Sequence, residues 1–110
     1  MATNGLTDNE LAAIRKLKDI LVRDYGLVEM KLIGSKARGD SDPESDIDLV
    51  IVVRELDRRV RLGIFGLCSD IGLEHDTVLS PIVHSLQEFD GPLTRVTPFY
   101  RNVEREGVLL

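Results

Sequence analysis

The chain has no tryptophan, one cysteine, two histidines and no apolar run of membrane length. A single cysteine, Cys68, excludes an intramolecular disulfide and suits a reducing compartment. It stands in an apolar helical stretch, so a small buried hydrophobe is expected there, not a reactive thiol. His75 and His84 lack zinc-ligand spacing with each other or with Cys68. A bilayer span needs about 20 consecutive apolar residues, and the polar N-terminus lacks the pattern of a signal peptide. The expected location is cytoplasmic, with no membrane partner. Basic character is also short. Net charge is −5 and only 5% of residues are aromatic, so little draws the chain to nucleic-acid phosphates or stacks on bases. Nucleic acid is not favoured as a partner.

What is present is an ordinary globular composition, 43% hydrophobic and 30% charged, over 110 residues. That length predicts one domain, 1–110, burying about 65% of its unfolded surface. It leaves little room for a second substrate-binding lobe. Thr7 and Glu10 have capping-box spacing, and Leu6 and Leu11 staple spacing, at the start of a helix. Leu11, Ile14, Leu17 and Leu21 supply its buried stripe, and Gly26 its stop. Strands are predicted over 28–33 and 46–53, followed by an amphipathic helix between Glu55 and Ile71. Gly63 and Gly66 each cost that helix about 1 kcal/mol and are expected to permit close packing on the sheet. Arg54, Arg58, Arg59 and Arg61 form a basic cluster, read as a solvated face or as a docking surface for an acidic partner or RNA. A third strand is expected within 73–83, with Pro81 marking an edge or bulge. A loop about Asp90-Gly91-Pro92 then leads to a short helix bracketed by Pro98 and Gly107.

The densest information lies between residues 34 and 49. An apolar run ends in Gly34-Ser35-Lys36-Ala37-Arg38-Gly39, and Asp46-Ile47-Asp48-Leu49 opens a second run. A strand ending in Gly-Ser can start a helix whose unpaired backbone N–H groups favour an anion. Gly34 lets a phosphate approach the backbone, Ser35 adds a hydroxyl donor, and Lys36 and Arg38 bring positive charge. Arg38 has a second reading, tying down the acidic loop from Asp40 to Glu44. On a strand, Asp46 and Asp48 share a face. Two such carboxylates repel unless a cation neutralises them, and oxygen ligands suit Mg²⁺ or Mn²⁺. The alternative is an exposed edge with acidic gatekeepers.

Gly34-Ser35, ten intervening residues, then Asp46-Ile47-Asp48-Leu49 resembles the signature of the DNA polymerase beta-like nucleotidyltransferase superfamily. The fuller string looks like its minimal nucleotidyltransferase branch, whose members include antitoxins. The motif spans about the central sixth of the chain, and the order of elements fits along most of it. The resemblance implies an α/β (α+β) fold, a small mixed sheet with flanking helices like the polymerase beta palm. It also implies transfer of a nucleoside monophosphate from a triphosphate, with ATP and AMP expected, and release of pyrophosphate. Asp46 and Asp48 would bridge two Mg²⁺ ions ~3.5–4 Å apart, and Gly34 and Ser35, with Arg38, would hold the nucleotide. The family's third carboxylate lies on a neighbouring strand. Asp76 is preferred to Glu74 because it immediately precedes the most apolar part of its segment, as Asp48 does. Asp76 would then ligate the metal that activates the acceptor hydroxyl. The implied acceptor is a HEPN-type helical partner protein, and a homo-oligomer is compatible with the sequence. A second function class stays open: an antitoxin-like module that neutralises its partner by binding alone.

Overall fold

The strand that begins at Ile47 is apolar on both faces, and the rest of the fold is arranged to cover it. The structure, a computed structural model, describes residues 6–39 and 45–110. The elements run α1 (Asp8–Asp24), β1 (Leu27–Ile33), α2 (Gly34–Arg38), β2 (Ile47–Val53), α3 (Arg58–Glu74), β3 (Leu79–Ser85), α4 (Leu86–Phe89), α5 (Pro92–Arg95), α6 (Pro98–Glu106) and β4 (Val108–Leu109). The four strands form one mixed sheet in the order β3-β2-β1-β4. β1 runs antiparallel to β2 and β4, while β2 and β3 are parallel, joined through α3.

Alternation along β2 divides the core. Ile47, Leu49, Ile51 and Val53 face α1 and α3 in the larger cluster with Leu17, Leu21, Ile64 and Cys68. Val50 and Val52 face the other way, against Phe89 of α4 and Val103 of α6. Asp48 shares the second face by the period-2 rule. β2 is thus a central strand, and β3 lies at an edge, as Pro81 predicts. At that edge, beyond which no strand lies among the described residues, Arg61 donates to the Val83 carbonyl at 3.2 Å. Arg54, Arg58 and Arg59 of the basic cluster are exposed.

The capping box of α1 forms as expected, Glu10 N–H donating to Thr7 Oγ1 at 3.2 Å and Thr7 N–H to Glu10 Oε1 at 2.8 Å. Its buried stripe differs: Glu10 and Ala13 join Ile14, Leu17 and Leu21, while Leu11 stays half-buried. Cys68 is buried, and desolvation pushes its thiol up to about 11, so it is protonated at neutral pH. Gly63 makes room for the Tyr25 ring and not for the sheet, since a methyl group there would sit 2.7 Å from the Tyr25 hydroxyl. Gly66 faces open space. α6 forms where Pro98 and Gly107 predict it, and Phe99 and Tyr100 pack against the second core cluster. The loop expected about Asp90-Gly91-Pro92 is present as a turn at Asp90 and Gly91, but it is flanked by two short helices that were not expected, α4 and α5. Ser85 caps α4 with its own box to Glu88, and Pro92 sits in the first turn of α5.

Candidate functional site

β1 and β2 end and begin side by side, with Ile33 paired to Asp48 across the antiparallel ladder. The residue after Ile33 therefore lands beside the carboxylate. Gly34 takes a left-handed conformation (φ 73°), and a methyl group on it would lie 2.6 Å from Asp48 Oδ2. The two halves of the sequence motif meet at this contact. Sequence reasoning assigned Gly34 to phosphate approach; the structure gives it a second duty, making room for Asp48.

Gly34 and Ser35 open α2, as the spacing predicts. Its N-cap, Ile33, makes no side-chain capping bond, and Gly39 closes the helix in the left-handed region (φ 76°). A helix of five residues has little macrodipole, so any anion preference comes from the backbone donors themselves. Lys36 turns away from this site. Its ammonium is buried against Glu10 of α1 at 2.8 Å, so it is not the exposed phosphate-side charge that its place in the motif suggests. Arg38 stays on the site side. It lines a groove of about 210 Å³ with Gly34, Phe99, Asn102 and Glu106, its Nη1 4.0 Å from Glu106 Oε2. The acidic loop offered as its other partner, residues 40–44, lies outside the described residues. A larger cavity of about 290 Å³ between α3 and β3, lined by Phe65, Cys68 and Leu73, opens on the face opposite Asp48.

Asp48 is half-buried and Asp46 exposed, just ahead of β2, which begins one residue later than expected. Burial, then the Asp46 charge, hold the Asp48 carboxyl above its ordinary pKa. A bound cation would remove both penalties at once, and the donors are hard oxygens, so the pair fits Mg²⁺ or Mn²⁺. Among the described residues no cluster of three or more His, Cys, Asp or Glu is placed to hold a metal.

Asp76, expected as the third carboxylate, is not on a strand. α3 continues past Ile71 to Glu74, and Asp76 sits exposed in the following turn with a left-handed backbone (φ 54°). Glu74 is held by Lys16 of α1 at 2.6 Å, which also keeps its carboxyl below the ordinary range. Beside Asp48, β3 presents Ser80 instead, a residue the sequence reading passed over because it started the strand too early. Only the parallel register reveals it.

The model of a nucleotidyltransferase domain matches residues 14–106 of the chain. The chain belongs to that family. Two curated relatives from Methanocaldococcus jannaschii, each described as a "putative protein adenylyltransferase", resemble this nucleotidyltransferase closely. One is 37% identical over 70% of the chain and 72% of its own length; the other is 34% identical over 93% and 98%. Among solved structures, a toxin–antitoxin with AMP-PNP is similar in fold (TM-score 0.57, 20% identity, 94% of this chain and 72% of that one). So is a chain from the complex of a tri-AMPylated Shewanella oneidensis HEPN toxin with an MNT antitoxin (TM-score 0.50, 17% identity, 92% and 70%). The four-stranded mixed sheet with flanking helices is this family's fold, and the nucleotidyltransferase is a transferase. Among the described residues, no helix is long and apolar enough to cross a membrane.

Proposed function

We propose that this nucleotidyltransferase moves AMP from ATP to a hydroxyl on a HEPN-type helical partner protein, in a magnesium-dependent reaction in the cytoplasm. The observation that carries the reading is the closeness of Gly34 to Asp48, which supports a turn for the triphosphate beside the carboxylate pair. The names of the two relatives support a protein acceptor, and the AMPylated HEPN toxin in the complex described above supports its kind.

In this reading the backbone donors of Gly34 and Ser35 hold the outer phosphates, and Arg38 steadies the nucleotide from the groove beside α6. Asp46 and Asp48 hold magnesium, which when bound supplies charge neutralisation at the reacting phosphates. The partner's hydroxyl oxygen bonds to the α-phosphorus, the α–β anhydride bond breaks, pyrophosphate leaves, and the hydroxyl proton is released. Asp76, free of the Lys16 contact that occupies Glu74, is the carboxylate to accept that proton. Positioning carries most of the rate in such a site.

One observation favours a second reading, neutralisation by binding alone: a serine, not an acid, stands beside Asp48 on β3. A single experiment separates the two. The protein is incubated with Mg-ATP and the helical partner recovered by pull-down from the native host, and the intact mass of the partner is measured. Transfer adds the mass of a nucleoside monophosphate, and a variant with Asp46→Asn and Asp48→Asn binds the partner without modifying it. Unchanged mass, with full neutralisation by the double variant, refutes transfer.

A further inference from the structure

Glu10 and Lys36 are the two charged side chains buried among the described residues, at 3% and 1% exposure. The two oxygens of Glu10 have separate tasks. Oε1 accepts from the Thr7 backbone N–H at 2.8 Å and closes the capping box of α1, while Oε2 meets Lys36 Nζ at 2.8 Å. Lys36 follows Gly34 by two positions, in a helix of only five residues. One turn of helix does not hold its own orientation, because nucleation fixes many dihedrals for few hydrogen bonds. The direction in which α2 leaves β1 must therefore be set by contacts from outside it. Ala37 packs into the larger core cluster and Arg38 reaches toward Glu106 of α6 at 4.0 Å, an exposed contact, whereas the ion pair to α1 is buried and short.

An apolar pair would fill the same space without desolvating two charges, and such replacements are often neutral or stabilising. What the ion pair adds is a fixed geometry between two specific atoms. That geometry matters here because Gly34 leaves no room for even a methyl group beside the Asp48 carboxylate, so a small rotation of α2 changes the spacing between turn and carboxylate.

We propose that Glu10 and Lys36 are a positioning pair, clamping α2 to the first turn of α1 and so setting the Gly34–Ser35 turn at its working distance from Asp48. The inference rests on the reading of that turn as a triphosphate cradle. Lys36 acts through the backbone and does not touch phosphate.

The test uses the whole chain, Mg-AMP-PNP as the probe, and three variants. Glu10→Gln with Lys36→Met removes both charges and keeps an oxygen for the Thr7 cap. Glu10→Asp keeps the charges and shortens the arm, and Lys36→Arg keeps the pair. Melting temperature, calorimetric affinity and the ¹⁵N–¹H shifts of Gly34 and Ser35 in nucleotide-free protein are measured, with Ile51 as the control amide. The neutral pair should melt close to wild type yet bind Mg-AMP-PNP about tenfold or more weakly, as misplacement of a reacting centre predicts. Its Gly34 and Ser35 shifts should move while Ile51 stays. Glu10→Asp should show the same pattern even where the neutral pair folds poorly, and Lys36→Arg should keep most of the affinity. Unmoved Gly34 and Ser35 shifts in both altered pairs overturn the inference, as does wild-type affinity in both. If wild type itself does not bind Mg-AMP-PNP, the triphosphate reading fails, and the amide shifts still decide whether the pair positions the turn.

Discussion

Asp48 Oδ2 lies so close to the Gly34 α-carbon that one added methyl group would come within 2.6 Å of it. Gly34 also has a left-handed backbone (φ 73°), so two separate penalties fall on any substitution. Gly34→Ala should cost about 1–2 kcal/mol from the backbone alone and should displace the carboxylate. Gly34→Val should additionally block the backbone donors. Thermal melts and calorimetry with Mg-AMP-PNP check both effects, and a Gly34→Val protein that binds like wild type would remove the turn from the site.

Ser35 follows the turn and offers one hydroxyl. Its loss in Ser35→Ala should weaken triphosphate binding by about 1.5–3 kcal/mol at most, the range for a hydrogen bond to a charged group. The fold should be unaffected. A larger loss, or a fall in melting temperature, would mean that the hydroxyl supports the loop and not the ligand.

The pH dependence of stability carries a sign for Asp48. Burial and the Asp46 charge raise its folded pKa above the ordinary 3.8. The folded chain thus holds that proton more tightly than the unfolded chain, and ionisation costs stability. The cost is absent below the ordinary value and complete above the raised one. Asp48→Asn should therefore gain on wild type as pH rises from the acid side of that window to neutrality, in the absence of metal. Asp24 and Glu74 shift the opposite way, each beside a cation, so the difference between the two proteins is the quantity to follow. Added Mg²⁺ should stabilise wild type and leave Asp48→Asn unmoved. A pH-independent difference in metal-free melts would sink the argument.

Asp76 and Glu74 can be told apart by what already holds them. Glu74→Gln breaks an exposed pair with Lys16 and should leave stability nearly unchanged, with transfer intact. Asp76→Asn keeps a residue type that tolerates the left-handed turn, so it should fold normally and slow transfer. Partner adenylylation rates, compared at equal Mg-ATP, decide the assignment; equal rates for Asp76→Asn and wild type would strike it from the site.

The legible parts of this molecule were those set by short-range pattern. The β2 run, the α1 capping box and the Gly-Ser to Asp-x-Asp spacing each depend on neighbours a few residues apart. The start of β3 was not legible, because α3 runs on through Gly72 to Glu74, and the chain leaves the helix at His75 and a left-handed Asp76, where no glycine stands. Asp76 was therefore placed on a strand it does not join. Lys36 was misread for a different reason: its partner, Glu10, is in another helix, and a motif carries no record of which way a lysine turns. α4 and α5 had signals that went unused, the Ser85–Glu88 box and Pro92 after Gly91.

The central place of β2 has a consequence for motion. Its amides are enclosed by β1 and β3 and by core on both faces, so they belong to the unit that opens only with global unfolding. Hydrogen exchange there should run at the slowest rate in the molecule. Asp48 is carried on that strand, so its backbone should be held in place by the same enclosure. Any adjustment to nucleotide or partner must fall to the elements around it.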